Sequence, residues 1–203
     1  MELIPTQDEV IALLRRTGGI RKGHFEYSNG AHVSEYVQVS LTMCDFNDSN
    51  ILSVALSRKL RSNSDIRALL PKVSVVAPAT GGLPVAYGVS EALRAQRVFW
   101  AENEGPDNAL QFRQYLKLEK GEKVILVDDI FRTGTKLSEM KKLVESAGGE
   151  VVAMAVIIYQ PRPHAWPVDS MPFYYLAHLE ATDQESSQCE QCKLGVPFEK
   201  VWH

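Results

Sequence analysis

Asp128 and Asp129 stand side by side at the end of an apolar run, Val124-Ile125-Leu126-Val127, and Thr133-Gly134-Thr135 follows almost at once. An uninterrupted apolar run reads as a strand buried on both faces of a parallel sheet. Two adjacent acids at its end are costly unless that end opens to solvent or to a ligand. In open α/β sheets, ligands sit at the carboxyl ends of the strands. A carboxylate there can accept hydrogen bonds from two neighbouring hydroxyls. The turn offers a second kind of contact. Gly134 lets the backbone curl and come close to a ligand, Thr133 and Thr135 supply hydroxyls, and the N–H groups opening the next helix lack intrahelical partners. A phosphate suits such a turn. A diol grip one sugar-length from a phosphate cradle fits a ribose 5-phosphate. The plainer alternative is that Asp128 and Asp129 cap a loop or the helix. The order strand, acids, Thr-Gly-Thr turn, helix favours the ligand.

The elements that must position these groups can be read along the chain. Leu137, Met140, Leu143, Val144 and Ala147 share one helical face after the turn, and Gly148-Gly149 ends that helix. Val151 to Ile158 reads as the next buried strand, which completes a βαβ unit. A second strand–loop–helix unit precedes it: Val73 to Ala77, then Pro78-Ala79-Thr80-Gly81-Gly82, then Leu83 to Leu93. Its glycines allow the backbone to wrap an anion, although a plain turn would also use them. Thr6-Gln7-Asp8-Glu9 fits a capping box, and Ile51 to Leu60 reads as another amphipathic helix. Phe25 to Val39 reads as irregular and extended, with a turn at Ser28-Asn29-Gly30. Val98 to Ala101 and Phe173 to Ala177 read as strands, and the polar stretch from Glu102 to Lys123 as an excursion or hairpin. Alternating strands and helices predict an α/β fold with a mainly parallel central sheet flanked by helices.

Composition excludes several classes. The chain has 203 residues, 45% hydrophobic and 23% charged, which suits one globular domain. A net charge of -3 gives no sign of a nucleic-acid surface. No stretch approaches the roughly 18 apolar residues of a membrane span, and Met1 to Arg16 does not read as a signal peptide. The cytoplasm is the expected compartment. Three cysteines do not suggest a disulfide framework. Cys189 and Cys192 have the spacing of half a zinc site, for which Cys44 and His203 are candidate further ligands; two reduced thiols are the simpler reading. His24 and His32 read as structural or surface groups. Neither G-x-G-x-x-G nor G-x-x-x-x-G-K-[ST] is found.

The segment from Val124 to Thr135 resembles the phosphoribosyl pyrophosphate signature of the type I phosphoribosyltransferases. Other segments resemble the orotate branch of that family, from about Gly23 to Pro197. Gly23-His24-Phe25 with Ser28, Gly30, His32 and Tyr36 is similar to an N-terminal hood over the base. Ala77 to Gly82 resembles the pyrophosphate loop. Phe99 and Glu102 fall where a phenylalanine and an acid precede a cation. The tail Cys189-Glu190-Gln191-Cys192-Lys193 with Gly195 and Pro197 resembles that of some bacterial members.

The resemblance implies transfer of ribose 5-phosphate from phosphoribosyl pyrophosphate to orotate, giving orotidine 5'-phosphate and pyrophosphate in pyrimidine biosynthesis. It implies one domain over residues 1–203, with a hood at about 1–40 plus a C-terminal segment and a core at about 41–180. Asp128 and Asp129 would hold the ribose hydroxyls, directly or through water and magnesium. Arg132, Thr133, Gly134 and Thr135 would cradle the 5-phosphate, and Thr80, Gly81 and Gly82 the pyrophosphate. Phe25 and Ser28 would sit near the base. Arg113 and Lys117 are the candidates to neutralise the leaving group, from a loop that in related enzymes closes over a neighbouring subunit's site, so a homodimer is implied.

The chain departs from the family pattern at several points. Asn103 stands where Lys or Arg is usual, Arg132 replaces the first Thr of a Thr-Thr-Gly turn, and Ala31 and Val33 replace an Arg and a Ser. Tyr159-Gln160 occupies the place of an Asp-Arg pair whose Arg contacts the orotate carboxylate, and Arg162 is the candidate to reach in instead. A phosphoribosyltransferase for another nucleobase, and a non-catalytic regulator that binds phosphoribosyl pyrophosphate, are the alternatives.

Overall fold

The computed structural model describes residues 4–104, 109–168 and 171–201. In chain order the elements are α1 (Gln7–Arg16), β1 (Ile20–Glu26), β2 (Ala31–Val37), α2 (Val39–Met43), α3 (Phe46–Ser62), α4 (Ser64–Leu69), β3 (Ser74–Pro78), α5 (Gly82–Leu93) and β4 (Arg97–Glu104). There follow β5 (Ala109–Phe112), β6 (Lys123–Phe131), α6 (Thr135–Ser146), β7 (Glu150–Tyr159), β8 (Phe173–His178), β9 (Gln184–Glu185), α7 (Glu190–Lys193) and β10 (Glu199–Lys200). The main sheet has six strands in the order β5-β4-β3-β6-β7-β8. All neighbours in it are parallel except β4 and β5, which form an antiparallel edge.

The apolar run of β6 finds cover on both faces. Ile125 and Val127 join Val75, Ala77, Ala153, Ala155 and Ile157 in the core under α3 and α5. Val124 and Leu126 point the other way, joining Val76, Met154 and Val156 against Leu137, Met140 and Val144 of α6. This period-two division of a continuous apolar strand is what two-sided burial requires. It also places the chemistry, because the next two positions on β6 are Asp128 and Asp129.

A second, four-stranded sheet is built from both ends of the chain, in the order β10-β1-β2-β9. The stretch expected to be irregular is a hairpin, β1 against β2, turning at Ser28-Asn29-Gly30 as anticipated. Its apolar side is a small cluster of Phe25, Tyr27, Val33 and Tyr36. Helix α3 begins at Phe46, well before the predicted Ile51, because the Asp45 side chain accepts from the N–H groups of Asn47 and Asp48. The predicted capping box of α1 is present, with Thr6 and Glu9 satisfying each other's backbone N–H. Among the described residues no helix is long and apolar enough to cross a membrane.

Candidate active site

The division of β6 continues into its acids. Asp129 faces the loop between β3 and α5: a Cβ built on Gly81 would lie 3.0 Å from its Oδ2. Asp128 is buried, its Oδ1 accepts the Asp129 N–H at 2.9 Å, and a Cβ on Gly82 would lie 3.2 Å from that oxygen and 2.8 Å from Pro78 Cδ. Both glycines of the loop are therefore required by the close approach of the acid pair. The Ala79–Thr80 peptide in this loop is cis. Burial raises the Asp128 carboxyl well above the ordinary carboxylate range, with the Asp129 charge adding to it and Lys136 partly offsetting it. Burial also raises Asp129, against the pull of its hydrogen bonds and of Arg132. Two desolvated carboxyl groups this close call for hydroxyl donors or a cation to complete them.

The turn after β6 is held from outside. Gln160, Arg162 and Trp166 donate their backbone N–H groups to the carbonyls of Phe131, Arg132 and Thr133, at 2.9, 3.1 and 2.8 Å. Gly134 has φ 75, and a Cβ there would fall 2.7 Å from Phe131 Cζ and 2.9 Å from Trp166 Cβ. Conformation and packing both demand glycine. The N-cap Gly134 has no side chain to cap α6, and the Thr135 N–H reaches only the Thr133 hydroxyl, at 3.4 Å. The Thr133 and Thr135 hydroxyls lie 3.0 Å apart.

Two cavities meet here. One, of about 270 Å³, is lined by Thr133, Gly134, Thr135, Lys136 and Arg162. The other, of about 430 Å³, is lined by Thr80, Gly81, Asp129, Tyr36, Val37 and Gln38. Asp128, Ile130, Arg132 and Lys136 belong to both. A larger hollow of about 520 Å³ between α1 and α3 is mostly apolar, and its Glu9 is engaged in the capping box. It has no convergent acids, so the site is assigned to the paired cavities.

Three cations reach this space. Arg132 donates from Nη2 to the Val37 carbonyl at 3.0 Å and lies 5.4 Å from the Tyr27 ring. Arg162 covers the same ring at 5.2 Å and pairs with Asp183 at 2.5 Å. Tyr27 thus has two guanidinium groups near its ring. Lys136 donates to Asn103 Oδ1. Sequence reasoning passed over Lys136 and Tyr27. The signal for Lys136 was its place in the first turn of α6, where the helix dipole disfavours a cation.

Other expected residues lie elsewhere. Arg113 forms a 2.8 Å ion pair with Glu102, and Lys117 is exposed; neither lines the cavities. Phe25 is buried in the small sheet's own cluster, and Ser28 is exposed at the hairpin turn. The small sheet meets the cavity through Tyr36 and Val37 instead. Gln160 is buried and donates to the Glu180 carbonyl at 3.2 Å.

Residues 55–191 match the family model described as the phosphoribosyl transferase domain. An orotate phosphoribosyltransferase of Caldanaerobacter subterraneus subsp. tengcongensis is 31% identical over 195 residues, 96% of each chain. The chain belongs to the phosphoribosyltransferase family. A second relative, the orotate phosphoribosyltransferase of Carboxydothermus hydrogenoformans, is 34% identical over 180 residues, 88% of each chain. The fold agrees with the crystal structure of orotate phosphoribosyltransferase from Aeropyrum pernix at a TM-score of 0.67, with 22% identity, covering 84% of this chain and 93% of that one. The expected α/β architecture is therefore that of the phosphoribosyltransferases. The stretch matched by the family model contains the β3–α5 loop, the acid pair and the turn into α6. The two sequence relatives extend the likeness into the small sheet.

Proposed function

We propose that this phosphoribosyltransferase joins orotate to the anomeric carbon of phosphoribosyl pyrophosphate. A C–N bond forms at that carbon while the orotate ring N–H gives up its proton to solvent, the C–O bond to pyrophosphate breaks, and pyrophosphate leaves with the electron pair. The observation that carries the reading is that one acid pair borders both an anion-shaped turn and a glycine loop, in cavities that share Asp128 and Lys136. Both relatives described above are named for orotate, which favours that base.

Positive charge builds on the sugar in the transition state and negative charge on the departing pyrophosphate, so the residues act by placement and electrostatics. Asp128 and Asp129 accept from the ribose hydroxyls. Thr133, Gly134, Thr135 and the first N–H groups of α6 hold the 5-phosphate. Thr80, Gly81 and Gly82 hold pyrophosphate, with Lys136, which lines the same cavity as Thr80 and Gly81, as its cation. Arg132 lines the cavity beside Thr133, Gly134 and Thr135 and joins their 5-phosphate cradle, and Arg162, over Tyr27, faces the orotate carboxylate. Arg113 and Lys117 would take part only on closure of their loop, over a second copy of the chain in a homodimer. The oxygen-only donors of Asp128 and Asp129, desolvated and raised in pKa, suit a hard cation such as magnesium. When bound, magnesium would neutralise pyrophosphate and ribose oxygens there.

The test is direct. Pure protein with magnesium, phosphoribosyl pyrophosphate and orotate should consume orotate absorbance and release pyrophosphate. Turnover of a purine but not orotate would move the assignment to another base. Ligand binding without turnover of any base would make the chain a regulator.

A further inference from the structure

We propose that His24, His32, Cys189 and Cys192 form a structural zinc site that fastens the tail of the chain onto the small sheet. His24 lies on β1 and His32 on β2, Cys189 precedes α7 and Cys192 lies within it. Their four ligand atoms all lie within 4.8 Å of one another. His24 Nε2 is 3.4 Å from Cys189 Sγ and 3.6 Å from Cys192 Sγ, and His32 Nδ1 is 3.3 Å from Cys192 Sγ. A zinc tetrahedron with bonds of about 2.3 Å to sulfur and about 2.0–2.1 Å to nitrogen has S–N edges of about 3.5 Å. Three of the four sulfur–nitrogen distances already match it, and the fourth, His32 to Cys189, is within 4.8 Å. The two ring nitrogens, 2.8 Å apart, need to part by about half an ångström to reach its N–N edge.

The protons of the two rings are assigned by their outer partners. His24 Nδ1 lies 2.8 Å from the Val196 carbonyl, which only accepts, so this nitrogen carries hydrogen. His32 Nε2 lies 3.3 Å from the Glu26 carboxylate, so it too carries hydrogen. With each ring carrying only that hydrogen, two bare lone pairs face each other across 2.8 Å and face two sulfurs. Such an arrangement is poor without a cation at its centre and good with one. A carbonyl or carboxylate behind each ring is the usual outer support of a zinc-bound histidine. His24, His32 and Cys189 are all buried, at 5%, 2% and 4% exposure. Two thiolates, two neutral imidazoles and Zn²⁺ sum to zero charge, which suits such burial. On binding, the two thiols release their protons to solvent and no electron is transferred.

The local fold serves the same end. Gly195, at φ 69, turns the chain back after α7 so that the Val196 carbonyl reaches His24. The tail also meets the sheet through strands of two exposed residues each, β9 beside His32 and β10 beside Phe25, and through Phe198 against the two histidine rings. Pairings so short need another tie. The same tail carries Asp183, which holds Arg162 at the cavity. The further ligands suggested by sequence are replaced: Cys44 is exposed at the end of α2, outside the cluster, and His203 lies outside the described residues. The histidine pair had no metal spacing in sequence because the hairpin brings it together, with Glu26 opposite His32.

The full chain purified without chelator should contain one zinc per chain by mass spectrometry of the metal. Cys189→Ser and Cys192→Ser should each lower this at least fivefold, and Cys44→Ser should leave it unchanged. Cobalt substituted into the wild-type protein should give tetrahedral d–d bands and a thiolate-to-cobalt charge-transfer band. A thiol reagent should titrate Cys44 rapidly, and all three cysteines after chelation. These last readouts need no variant to fold. The proposal is overturned by metal at background level with three equally reactive thiols, by a Cys189–Cys192 disulfide, or by zinc loss in Cys44→Ser.

Discussion

Asp128→Asn should move ligand binding and stability in opposite directions. The Asn Oδ1 can still accept the Asp129 N–H now bound at 2.9 Å, so local geometry is kept while the charge is removed. Burial, and then the neighbouring Asp129, raises the Asp128 carboxyl well above its ordinary value. The native state therefore holds this proton more tightly than the unfolded chain does. The slope of stability with pH follows protons bound unfolded minus protons bound native, so it is negative here. Stability is greatest below the unfolded carboxyl pKa of about 3.9. It falls as pH rises toward the folded pKa. Ligand-free Asp128→Asn should thus melt above the wild type at neutral pH, with the gap closing toward pH 4. Binding should change the other way. Hydrogen bonds to a charged acceptor contribute about 1.5–3 kcal/mol, so phosphoribosyl pyrophosphate with magnesium should bind about 10- to 150-fold more weakly. Calorimetric titration and melting curves over a pH series measure both. Unchanged binding would remove Asp128 from the ribose grip. A lower melting temperature at every pH would refute the burial argument.

Lys136→Met should lower kcat/KM about 10- to 150-fold, from the loss of one charged contact to the leaving group, with melting unchanged; steady-state kinetics and a melt check it. Asn103→Lys should lower activity, because it sets a second ammonium against Lys136, and Asn103→Lys with Lys136→Ala should recover most of it. Equal activity in the single and double variants would refute that pairing. Gly134→Ala should cost about 2–3 kcal/mol, since a left-handed residue costs about 1–2 kcal/mol and the methyl would meet Phe131 at 2.7 Å. For a chain of this size that is a fall in melting temperature of about 5–10 °C.

The parts of this molecule that were legible in sequence are those whose signals are local. The apolar run of β6, the acids after it, the glycine turn and the capping box at Thr6 each carry their own physical reason within a few residues. The β1–β2 hairpin was less legible, because Lys22, Gly23, His24 and His32 interrupt any apolar alternation. Its buried histidines make sense only beside Cys189 and Cys192, far along the chain. Strands β9 and β10 have no pattern at all, since two exposed residues cannot encode one. Of the cationic lining, Arg132 and Arg162 were named from sequence, but Lys136 was hidden for a related reason. Arg162 lies on Tyr27 and Lys136 crosses to Asn103, contacts that exist only after folding.

Those two contacts bear on the departures at positions 103 and 160. A leaving pyrophosphate responds to charge at a point in space, whichever strand the charged side chain hangs from. Asn103 lies on β4 and cannot supply charge, but its carbonyl oxygen takes a hydrogen bond from the Lys136 ammonium, which arrives from α6. Gln160 is likewise neutral and engaged with the Glu180 carbonyl, while Arg162, two residues later, lines the cavity with Asp183 behind it. In each case the polar residue at the altered position braces a neighbouring segment, and a cation from nearby faces the ligand space. On the proposed reading, charge is moved between supports without leaving the cavity, as transfer to orotate would require.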